Sequence, residues 1–303
     1  MKRPNLRHLA TEEPNPASAD LDRKSSLEIA RIINAEDSKI APAVERALPQ
    51  IAQAIDLIAF ALSQGGRLIY VGTGTSGRIA ALDAAEIPPT FDVDPGRVQF
   101  IIAGGLRALS KATEASEDSH ALGRKEMAKK KPGKKDVIVG IAASGRTPFT
   151  IAAVQYARAH GAKTIAVTCN RNSLLGKAAH LEIVAEVGPE VIAGSSRMKA
   201  GSAEKMILNM LSTGAMTRMG YVYGNLMVHL RLKNTKLTER GIGIIEQATE
   251  LTRAQAIKLL NQAGRSVPVA LIMAKTGATR AQATQALKES KGQVRTAIEA
   301  AKL

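Results

Sequence analysis

Short apolar runs alternate with helical patterns through the middle of this chain. Each run is rich in valine, isoleucine or leucine, and polar stretches with helical spacing separate the runs. The runs occupy 67–72, 97–105, 136–145, 163–170 and 181–187. The helical stretches include 76–86, 106–130 and 147–161. Apolar strands separated by helices predict an α/β protein with a doubly wound, mostly parallel sheet.

The segments before and after this series have their own patterns. Residues 1–25 are polar and punctuated by proline, which indicates an arm suited to packing on a partner subunit. Apolar residues recur at helical spacing from about Pro42 to the Gly65-Gly66 pair, where the helix is expected to stop. A second long helical pattern at 202–220 closes the α/β series.

The last sixty residues contain an internal repeat. The pentapeptide TRAQA occurs at Thr252–Ala256 and again at Thr279–Ala283, and a glycine follows each copy at a nearly equivalent place. Each threonine is a predicted helix N-cap. The repeat therefore predicts a small module of two related helical hairpins. The expected division is an arm with helices at 1–55, a catalytic domain at 56–240 and the helical module at 241–303.

The charge balance is strongly basic. The net charge is +15, and seven of the basic residues lie between 123 and 135. A basic chain favours anionic partners, either nucleic acid, a membrane surface or phosphorylated metabolites. Aromatic residues make up only 3% and tryptophan is absent, which weakens any interpretation based on stacking with nucleic-acid bases. We interpret the basic segment as a solvated helix end and loop, with a nucleic-acid patch as the less favoured alternative.

Cysteine and histidine usage excludes several classes of protein. The single cysteine, Cys169, excludes an intrachain disulfide framework and a cysteine-rich metal site. The five histidines show no metal-ligand spacing. The N-terminal residues lack an apolar leader, and no apolar run approaches the length of a membrane span, so we expect a cytoplasmic protein.

A glycine-rich loop follows the first strand. Its spacing, Gly72-x-Gly74-x-x-Gly77, is that of a dinucleotide-binding loop, but this signal is weak by itself. A dinucleotide site also needs an acid at the end of the second strand, where this chain has IIAGG. Hydroxyl side chains between the glycines favour a smaller phosphorylated ligand, because a helix start offers free N–H groups to an anion.

The same chemistry recurs at two further predicted helix starts. Loops that follow different strands of a doubly wound sheet converge at its carboxyl edge. A hydroxyl at one helix start is more often a cap than a site, but three of them together indicate a phosphate-ester site. The candidate binding residues are Thr75, Ser76, Ser144, Arg146, Thr147, Ser195, Ser196 and Lys199, with Arg197 beside the last group.

Carboxylates close to these loops are candidates for acid–base chemistry. Glu86 ends the helical pattern at 76–86, and Pro88 and Pro89 are expected to stop that helix. The negative helix end and the apolar neighbours disfavour a charged carboxylate, which suits a general acid, although an exposed helix-end glutamate fits the residues equally well. Glu114 and Glu117 share a face of the next helical stretch, and spacing alone does not choose between them.

Several long motifs resemble the N-acetylmuramic acid 6-phosphate etherase family. They include GTGTSGR, LDAAEIPPTF, GIAASGRTP and EVGPEVIAGSSRMKAG, and the resemblance runs from about Thr11 to the end of the chain. The family is related to the glucokinase regulatory protein and to other sugar isomerase (SIS) domain proteins. The resemblance implies an SIS-type three-layer αβα sandwich, a homodimer, and activity without a metal or nucleotide cofactor.

The resemblance also implies a reaction and roles. It is cleavage of the lactyl ether of N-acetylmuramic acid 6-phosphate to N-acetylglucosamine 6-phosphate and D-lactate, in cell-wall amino-sugar recycling. Elimination is followed by addition of water. The family's D-A-x-E-x-P-P-T motif assigns the acid that protonates the leaving lactate to Glu86. Its E-x-x-E-D motif assigns the base that removes the C2 proton to Glu117 rather than Glu114. The hydroxyl-rich loops would hold the phosphate, and the group at 195–199 would come from the partner subunit.

Three positions depart from the family pattern, and they do not imply loss of activity. His229 stands where an aspartate is expected, Thr235 replaces an expected glutamate, and Ser116 replaces an alanine. These positions bear on substrate orientation or dimer contacts. The alternative is a non-catalytic SIS-type regulator that binds a sugar phosphate. The pair of glutamates argues against it, because a sensor needs no acid–base carboxylates.

Overall fold

A computed structural model describes residues 9–111 and 116–301 of this chain. The described residues form two compact units. The first contains 9–85 and 96–212, and the second contains 86–95 and 213–301. Within the described residues, no helix is both long enough and apolar enough to cross a bilayer.

A five-stranded parallel sheet forms the centre of the first unit. Its order is β2-β1-β3-β4-β5, and Leu68 of β1 lies opposite Val98 of β2 and Val137 of β3. Every residue of β1 and β3 is buried, which is why these strands read as continuous apolar runs. The predicted α/β class and all five predicted strands are confirmed. The strands are β1 Leu68–Gly72, β2 Val98–Ile102, β3 Val137–Ile141, β4 Lys163–Thr168 and β5 Leu181–Val184.

Helices cover both faces of this sheet. Helices α5 to α7 pack on the face to which Ile69 and Val71 point. Tyr70 alternates with them and points to the opposite face, where its hydroxyl donates to Asp83 of α4 (2.8 Å). Helix α3 also packs against the sheet. The helices are α1 Ser26–Asp37, α2 Ile40–Glu45, α3 Leu48–Ser63, α4 Gly74–Phe91, α5 His120–Lys129, α6 Pro148–Ala159, α7 Leu174–Ala178 and α8 Lys199–Arg218.

The strand order creates a crevice at one place on the carboxyl edge. Strands β1 and β3 are neighbours, but β1 continues through α4 to β2 on one side, and β3 continues through α6 to β4 on the other. The two connections diverge, so a crevice opens between the carboxyl ends of β1 and β3. Ligands of doubly wound proteins bind in such a crevice.

Two predicted helix boundaries are wrong. Helix α4 continues through Pro88 and Pro89 to Phe91 instead of stopping at residue 86. The buried Phe91 ring packs edge-on against Tyr221 within the second unit, and this contact holds the last turn despite the hydrogen bonds that the prolines lack. The helix ends where Asp92 adopts a left-handed φ of 54°.

The other wrong boundary concerns the polar stretch 106–130. A single 3-10 turn at Gly105–Leu109 replaces its first part, and α5 begins only at His120, after the N-cap Ser119. Gly104 and Gly105 both have positive φ, so the chain turns away from the helical conformation immediately after β2. Residues 112–115, which include Glu114, lie outside the described residues.

The N-terminal arm binds its own chain over the part that is described. The Thr11 carbonyl accepts from Gly194 N (3.1 Å), its hydroxyl accepts from Asn170 Nδ2 (3.3 Å), and the Asn15 amide donates to Pro189 O (3.1 Å). These bonds fix the arm on the loop that precedes α8. The expected packing on a partner subunit stays a prediction.

The second unit is mostly helical. A short antiparallel hairpin, β6 Val222–Tyr223 and β7 Leu226–Met227, precedes five helices. The predicted pair of related hairpins is confirmed as α10–α11 and α12–α13. The five helices are α9 Thr235–Ala248, α10 Arg253–Gln262, α11 Val267–Thr276, α12 Arg280–Glu289 and α13 Val294–Ala300.

The internal sequence repeat corresponds to repeated caps at the ends of α10 and α12. Thr252 and Thr279 each form a capping box with the glutamine three residues later, as the repeated TRAQA motif requires. Helices α10 and α12 both end in two consecutive left-handed residues, at 264–265 and 291–292. The first helix of each hairpin therefore begins and ends through the same local geometry.

Candidate functional site

The glycine loop brings the start of α4 against the sheet. A Cβ on Gly77 would lie 2.6 Å from Ile102 Cγ1, and one on Gly72 would lie 2.9 Å from Gly77 N. Gly74 has a positive φ of 49° at the first position of α4. The three glycines are thus explained by close packing and by the tight turn. Thr75 and Ser76 follow in the first turn of α4, where backbone N–H groups attract an anion.

The loop after β3 forms the other wall of the crevice. Gly145 has a positive φ of 64° and lies so close to Ser173 that a Cβ would come within 2.3 Å of Ser173 Cβ. Ser144 and Arg146 are half-buried, and Ser144 Oγ accepts from Arg146 N (3.3 Å). Thr147 is the N-cap residue of α6. This loop therefore presents a serine, an arginine and a helix start beside the glycine loop.

Glu117 lies where these two loops meet. Its Oε1 accepts from Thr73 Oγ1 (2.9 Å), at the end of β1, and from Thr147 Oγ1 (3.4 Å), beyond β3. Its backbone carbonyl accepts from Phe149 N in the first turn of α6 (3.1 Å). The half-buried carboxylate is thereby fixed at the crevice between β1 and β3.

Thr73 is a contact that sequence reasoning missed. Thr73 is one of the hydroxyls between the glycines but is not among the predicted binding residues, and it donates the shorter of the two hydrogen bonds to Glu117. The available signal was its position as the first residue after β1. At that position a side chain points towards the carboxyl edge, where the sites of such sheets lie.

The third hydroxyl-rich loop adjoins the first. Ser195 and Ser196 are half-buried and precede α8, and a Cβ on Gly201 would lie 3.1 Å from Thr75 Cγ2. The first turns of α4 and α8 are therefore in contact. The carboxylate of Glu190 accepts from the backbone N–H groups of Lys199 and Ala200 (2.9 Å each). An internal carboxylate thus already occupies the anion position at the start of α8.

The Lys199 side chain is bound inside the first unit. Its Nζ lies 2.5 Å from Glu36 Oε2, and the two side chains are only 1% and 3% exposed. Burial alone would raise the pKa of Glu36, but hydrogen bonds from Lys199, Lys39 and Asn15 lower it to about 2. The buried pair joins α1 to the first residue of α8, so the Lys199 ammonium serves the fold in this structure.

A second buried carboxyl lies beneath the glycine loop. Ser76 Oγ lies 2.9 Å from Glu204 Oε1 of α8, within hydrogen-bond distance, and Glu204 is 1% exposed. Burial raises the pKa of Glu204 to about 8, although the hydrogen bond from Ser76 opposes that shift. Glu204 is therefore mostly protonated at neutral pH.

Glu86 is an exposed residue of α4 and belongs to the second unit. Its carbonyl accepts from Thr90 Oγ1 (2.7 Å), and this hydrogen bond supports the last turn of the helix, after the two prolines. Because α4 runs on to Phe91, Glu86 does not lie at the negative end of the helix, and that part of the argument for a general acid is lost. Its pairing with Glu117 stays a prediction.

Two of the residues that depart from the family pattern, His229 and Thr235, lie in the second unit. His229 Nε2 donates to Gly292 O (2.8 Å), and its ring packs on Tyr221. Burial lowers the pKa of His229, which keeps the ring neutral at neutral pH. Thr235 is the first residue of α9, after the N-cap Asn234. Both positions have local structural roles in this chain.

Comparisons with protein families and known proteins give consistent matches. Residues 50–158 match the Glucokinase regulatory protein N-terminal SIS domain, and residues 111–214 match the SIS domain. A protein of Clostridium beijerinckii named N-acetylmuramic acid 6-phosphate etherase is 46% identical, over 97% of this chain and 97% of that protein. A protein of Symbiobacterium thermophilum with the same name is 52% identical, over 90% of each chain.

A solved structure shows the same fold. It is a phosphoheptose isomerase from Francisella tularensis, with a TM-score of 0.50 and 22% sequence identity. The similarity covers 64% of this chain and 100% of the isomerase. At this level of identity the similarity establishes the SIS-type αβα sandwich and nothing about substrate.

Proposed function

This chain belongs to the N-acetylmuramic acid 6-phosphate etherase family, and from that membership we propose that it is a carbon–oxygen lyase. Its substrate is N-acetylmuramic acid 6-phosphate, and its products are N-acetylglucosamine 6-phosphate and D-lactate. The reaction serves amino-sugar recycling from the cell wall. The observation that supports it most directly is Glu117, held between two hydroxyl-rich loops at the crevice of the sheet.

The phosphate of the substrate binds at the starts of α4 and α6. Their first turns follow β1 and β3, the two strands that border the crevice. Backbone N–H groups and the positive helix ends favour a phosphate there, and an arginine side chain adds a charge-assisted hydrogen bond. The Lys199 ammonium is left out of this group because Glu36 already binds it. The binding residues proposed are Thr75, Ser76, Ser144, Arg146 and Thr147, with Ser195 and Ser196 adjoining.

Glu117 is the general base. Both threonine hydroxyls donate to its Oε1, which stabilises the carboxylate and directs Oε2 to the proton on C2 of the open-chain sugar. The neighbouring aldehyde makes that proton acidic enough for a carboxylate. The electron pair of the C2–H bond forms the C2=C3 double bond, and the pair of the C3–O bond leaves with lactate.

Glu86 is the general acid. An alkoxide is a poor leaving group, so the ether oxygen needs a proton as the C3–O bond breaks. Glu86 supplies it, and water then adds at C3 to give the hydroxyl of N-acetylglucosamine 6-phosphate. Each proton transfer of this type contributes roughly 10²–10⁴-fold in rate.

Release of D-lactate from N-acetylmuramic acid 6-phosphate tests the proposal. We expect turnover by the wild type and a loss of roughly 10²–10⁴-fold in Glu86→Gln and in Glu117→Gln. Glu126→Gln, which alters a half-buried carboxyl paired with Lys129 on α5, is the control and keeps wild-type turnover. The proposal is wrong if the wild type releases no D-lactate, or if both site variants turn over normally.

Deuterium incorporation separates the two roles. In D₂O, Glu86→Gln still exchanges the C2 proton of the substrate because its base is intact, whereas Glu117→Gln does not. Exchange in Glu117→Gln and none in Glu86→Gln would reverse the assignment of acid and base.

The alternative function is a regulator that binds a sugar phosphate without turning it over. It predicts a ligand-induced rise in melting temperature and no D-lactate. The position of Glu117 favours the enzyme, because a binding site for a phosphate gains nothing from a carboxylate fixed between its loops.

We also propose that the protein is a homodimer and that it is located in the cytoplasm. Family membership supports both statements, and the dimer is tested by the mass of the protein in solution. A monomer that retains full turnover would contradict the dimer without affecting the proposed reaction.

A further inference from the structure

Glu204 is a buried carboxyl that the proposed chemistry does not use. It lies on α8 with 1% of its surface exposed, and its Oε1 is 2.9 Å from Ser76 Oγ. Ser76 itself is 9% exposed and lies in the first turn of α4. The carboxyl therefore contacts, from inside the fold, a hydroxyl that we assign to phosphate binding.

Among the described groups that influence Glu204, none carries a positive charge. Ser76 faces it from α4, Cys169 lies beyond β4, and Glu190 comes from the loop before α8. Burial, followed by the charges of Glu204 and Glu190, raises the pKa of the Cys169 thiol, so these three groups share one region. None of these three groups is a cation, and the ammonium of Lys199 forms its ion pair with Glu36.

We propose that Glu204 is a positioning residue which, as a neutral acid, donates a hydrogen bond to Ser76 Oγ and so directs the Ser76 hydroxyl hydrogen to the phosphate. The proposal rests on the proposed function of the glycine loop. A serine hydroxyl has a single hydrogen, so it cannot donate to Glu204 and to a phosphate oxygen together. When the acid carries the hydrogen between Oε1 and Oγ, the serine hydrogen is available to the ligand.

Ionisation of Glu204 reverses this arrangement. A carboxylate only accepts hydrogen bonds, so it takes the Ser76 hydrogen and leaves the serine lone pairs facing the phosphate. It also places a negative charge beneath an anion site. With a pKa of about 8, the change falls in a range that is easily reached in solution.

Binding of N-acetylglucosamine 6-phosphate, measured by calorimetry from pH 7.5 to 9.5, tests the proposal. The phosphate is already a dianion over this range, because its second pKa is about 6. We expect wild-type affinity to fall about tenfold across the range, the usual size of one lost hydrogen bond with unfavourable charge. Glu204→Gln should show no such fall, because its amide donates to Ser76 at every pH.

Two further variants make the result decisive. Glu28→Gln also alters a glutamate hydrogen-bonded to a serine, in the exposed capping box of α1, and should keep the wild-type pH dependence. Ser76→Ala should bind more weakly at pH 7.5 and show a smaller pH dependence, because only the charge of Glu204 then opposes the phosphate, and this holds even if Glu204→Gln does not fold. Equal pH dependence in the wild type and in either Glu204→Gln or Ser76→Ala overturns this inference alone. Absence of binding by the wild type at pH 7.5 overturns the proposed function with it.

Discussion

At the scale of single residues, the role of each carboxyl group depends on the residues that surround it. Glu117 is fixed by two threonines from different strand ends, and Glu204 is buried against one serine. Glu117 accepts two hydrogen bonds at the crevice. Burial raises the pKa of Glu204 to about 8 and so favours its neutral form.

Thr73→Val tests the support of Glu117. Valine has nearly the same shape as threonine but cannot donate, so Glu117 Oε1 loses its 2.9 Å hydrogen bond and keeps only the longer one from Thr147. We expect kcat to fall by about tenfold with little change in KM, because the phosphate contacts are untouched. Steady-state release of D-lactate measures both constants.

The matched control is Thr284→Val on α12. That hydroxyl donates to Arg280 O within the second unit and faces solvent, so kcat should stay at the wild-type value. A rise in KM with unchanged kcat in Thr73→Val would show that Thr73 binds substrate and does not support the base.

At the scale of elements, close backbone contacts hold the crevice in place. Gly123 of α5 lies so near α6 that a Cβ would come within 2.0 Å of Phe149 O. Glu117 precedes α5 and its carbonyl accepts from Phe149 N, so the packing of α5 on α6 also sets the position of the base. On α4, Asp83 accepts from Tyr70, Asn209 and Ser212, which locks that helix to β1 and α8.

Gly123→Ala should destabilise the protein and reduce turnover together. The new methyl group would clash with backbone atoms, which cannot move aside as a side chain can by changing its rotamer. We therefore expect a loss of about 2–3 kcal/mol in the free energy of unfolding. Urea denaturation measures it. The control is Gly243→Ala on α9, where the added Cβ meets open space and should stabilise by about 0.5–1 kcal/mol. Equal effects of the two substitutions would mean that α5 and α6 are not in backbone contact.

At the scale of the whole molecule, some of the excess basic side chains form contacts with neighbouring polar or acidic side chains. In the segment 123–135, Lys129 pairs with Glu126, and Lys130 Nζ donates to Gln99 Oε1. The nucleic-acid hypothesis for this segment predicts an affinity for DNA that falls steeply with salt. The buried ion pair and the buried acid have a wider effect, because they make stability depend on pH.

Glu36 should stabilise the protein above about pH 4.5 and cease to do so as pH falls towards 2. Its pKa is lowered in the folded state, so the unfolded state binds the proton first as pH falls. A shift from 4.5 to about 2 corresponds to about 3 kcal/mol at neutral pH. Urea denaturation of the wild type and Glu36→Gln should differ most near pH 6 and converge near pH 2. A difference that is constant with pH would show that the pair does not titrate.

Glu204 should have the opposite effect. Its pKa is raised in the folded state, so the unfolded state ionises first and wild-type stability falls as pH rises from 4.5 to about 8. Glu204→Gln carries no titrating group and should become the more stable protein across that range, by on the order of 4 kcal/mol at pH 8. Thermal unfolding of both proteins from pH 5 to 8 measures the trend, and parallel curves would contradict it.

The sequence predicted the strands of the sheet, but it did not predict where two of the helices begin or end. Runs such as 67–72 and 136–145 are apolar throughout because both faces of β1 and β3 are buried. The end of α4 could not be predicted locally, since Phe91 is held by a distant tyrosine that outweighs two prolines. Likewise, the spacing of Glu114 and Glu117 is equal evidence for both, and the family's E-x-x-E-D motif is what selects Glu117. The contacts of Glu117 with Thr73 and Thr147 could be found only in the tertiary structure.

The chain alone therefore determined the strand series, the hydroxyl-rich helix starts, the repeated hairpins and the family, because each is written in residues that are close together in sequence. Only the tertiary structure decided that Lys199 pairs with Glu36, that Glu190 occupies the start of α8 and that Glu204 lies beneath Ser76. Charge and protonation depend on burial and on partners far away along the chain. A local sequence pattern shows where a carboxyl lies along the chain, but it does not show whether that carboxyl is ionised.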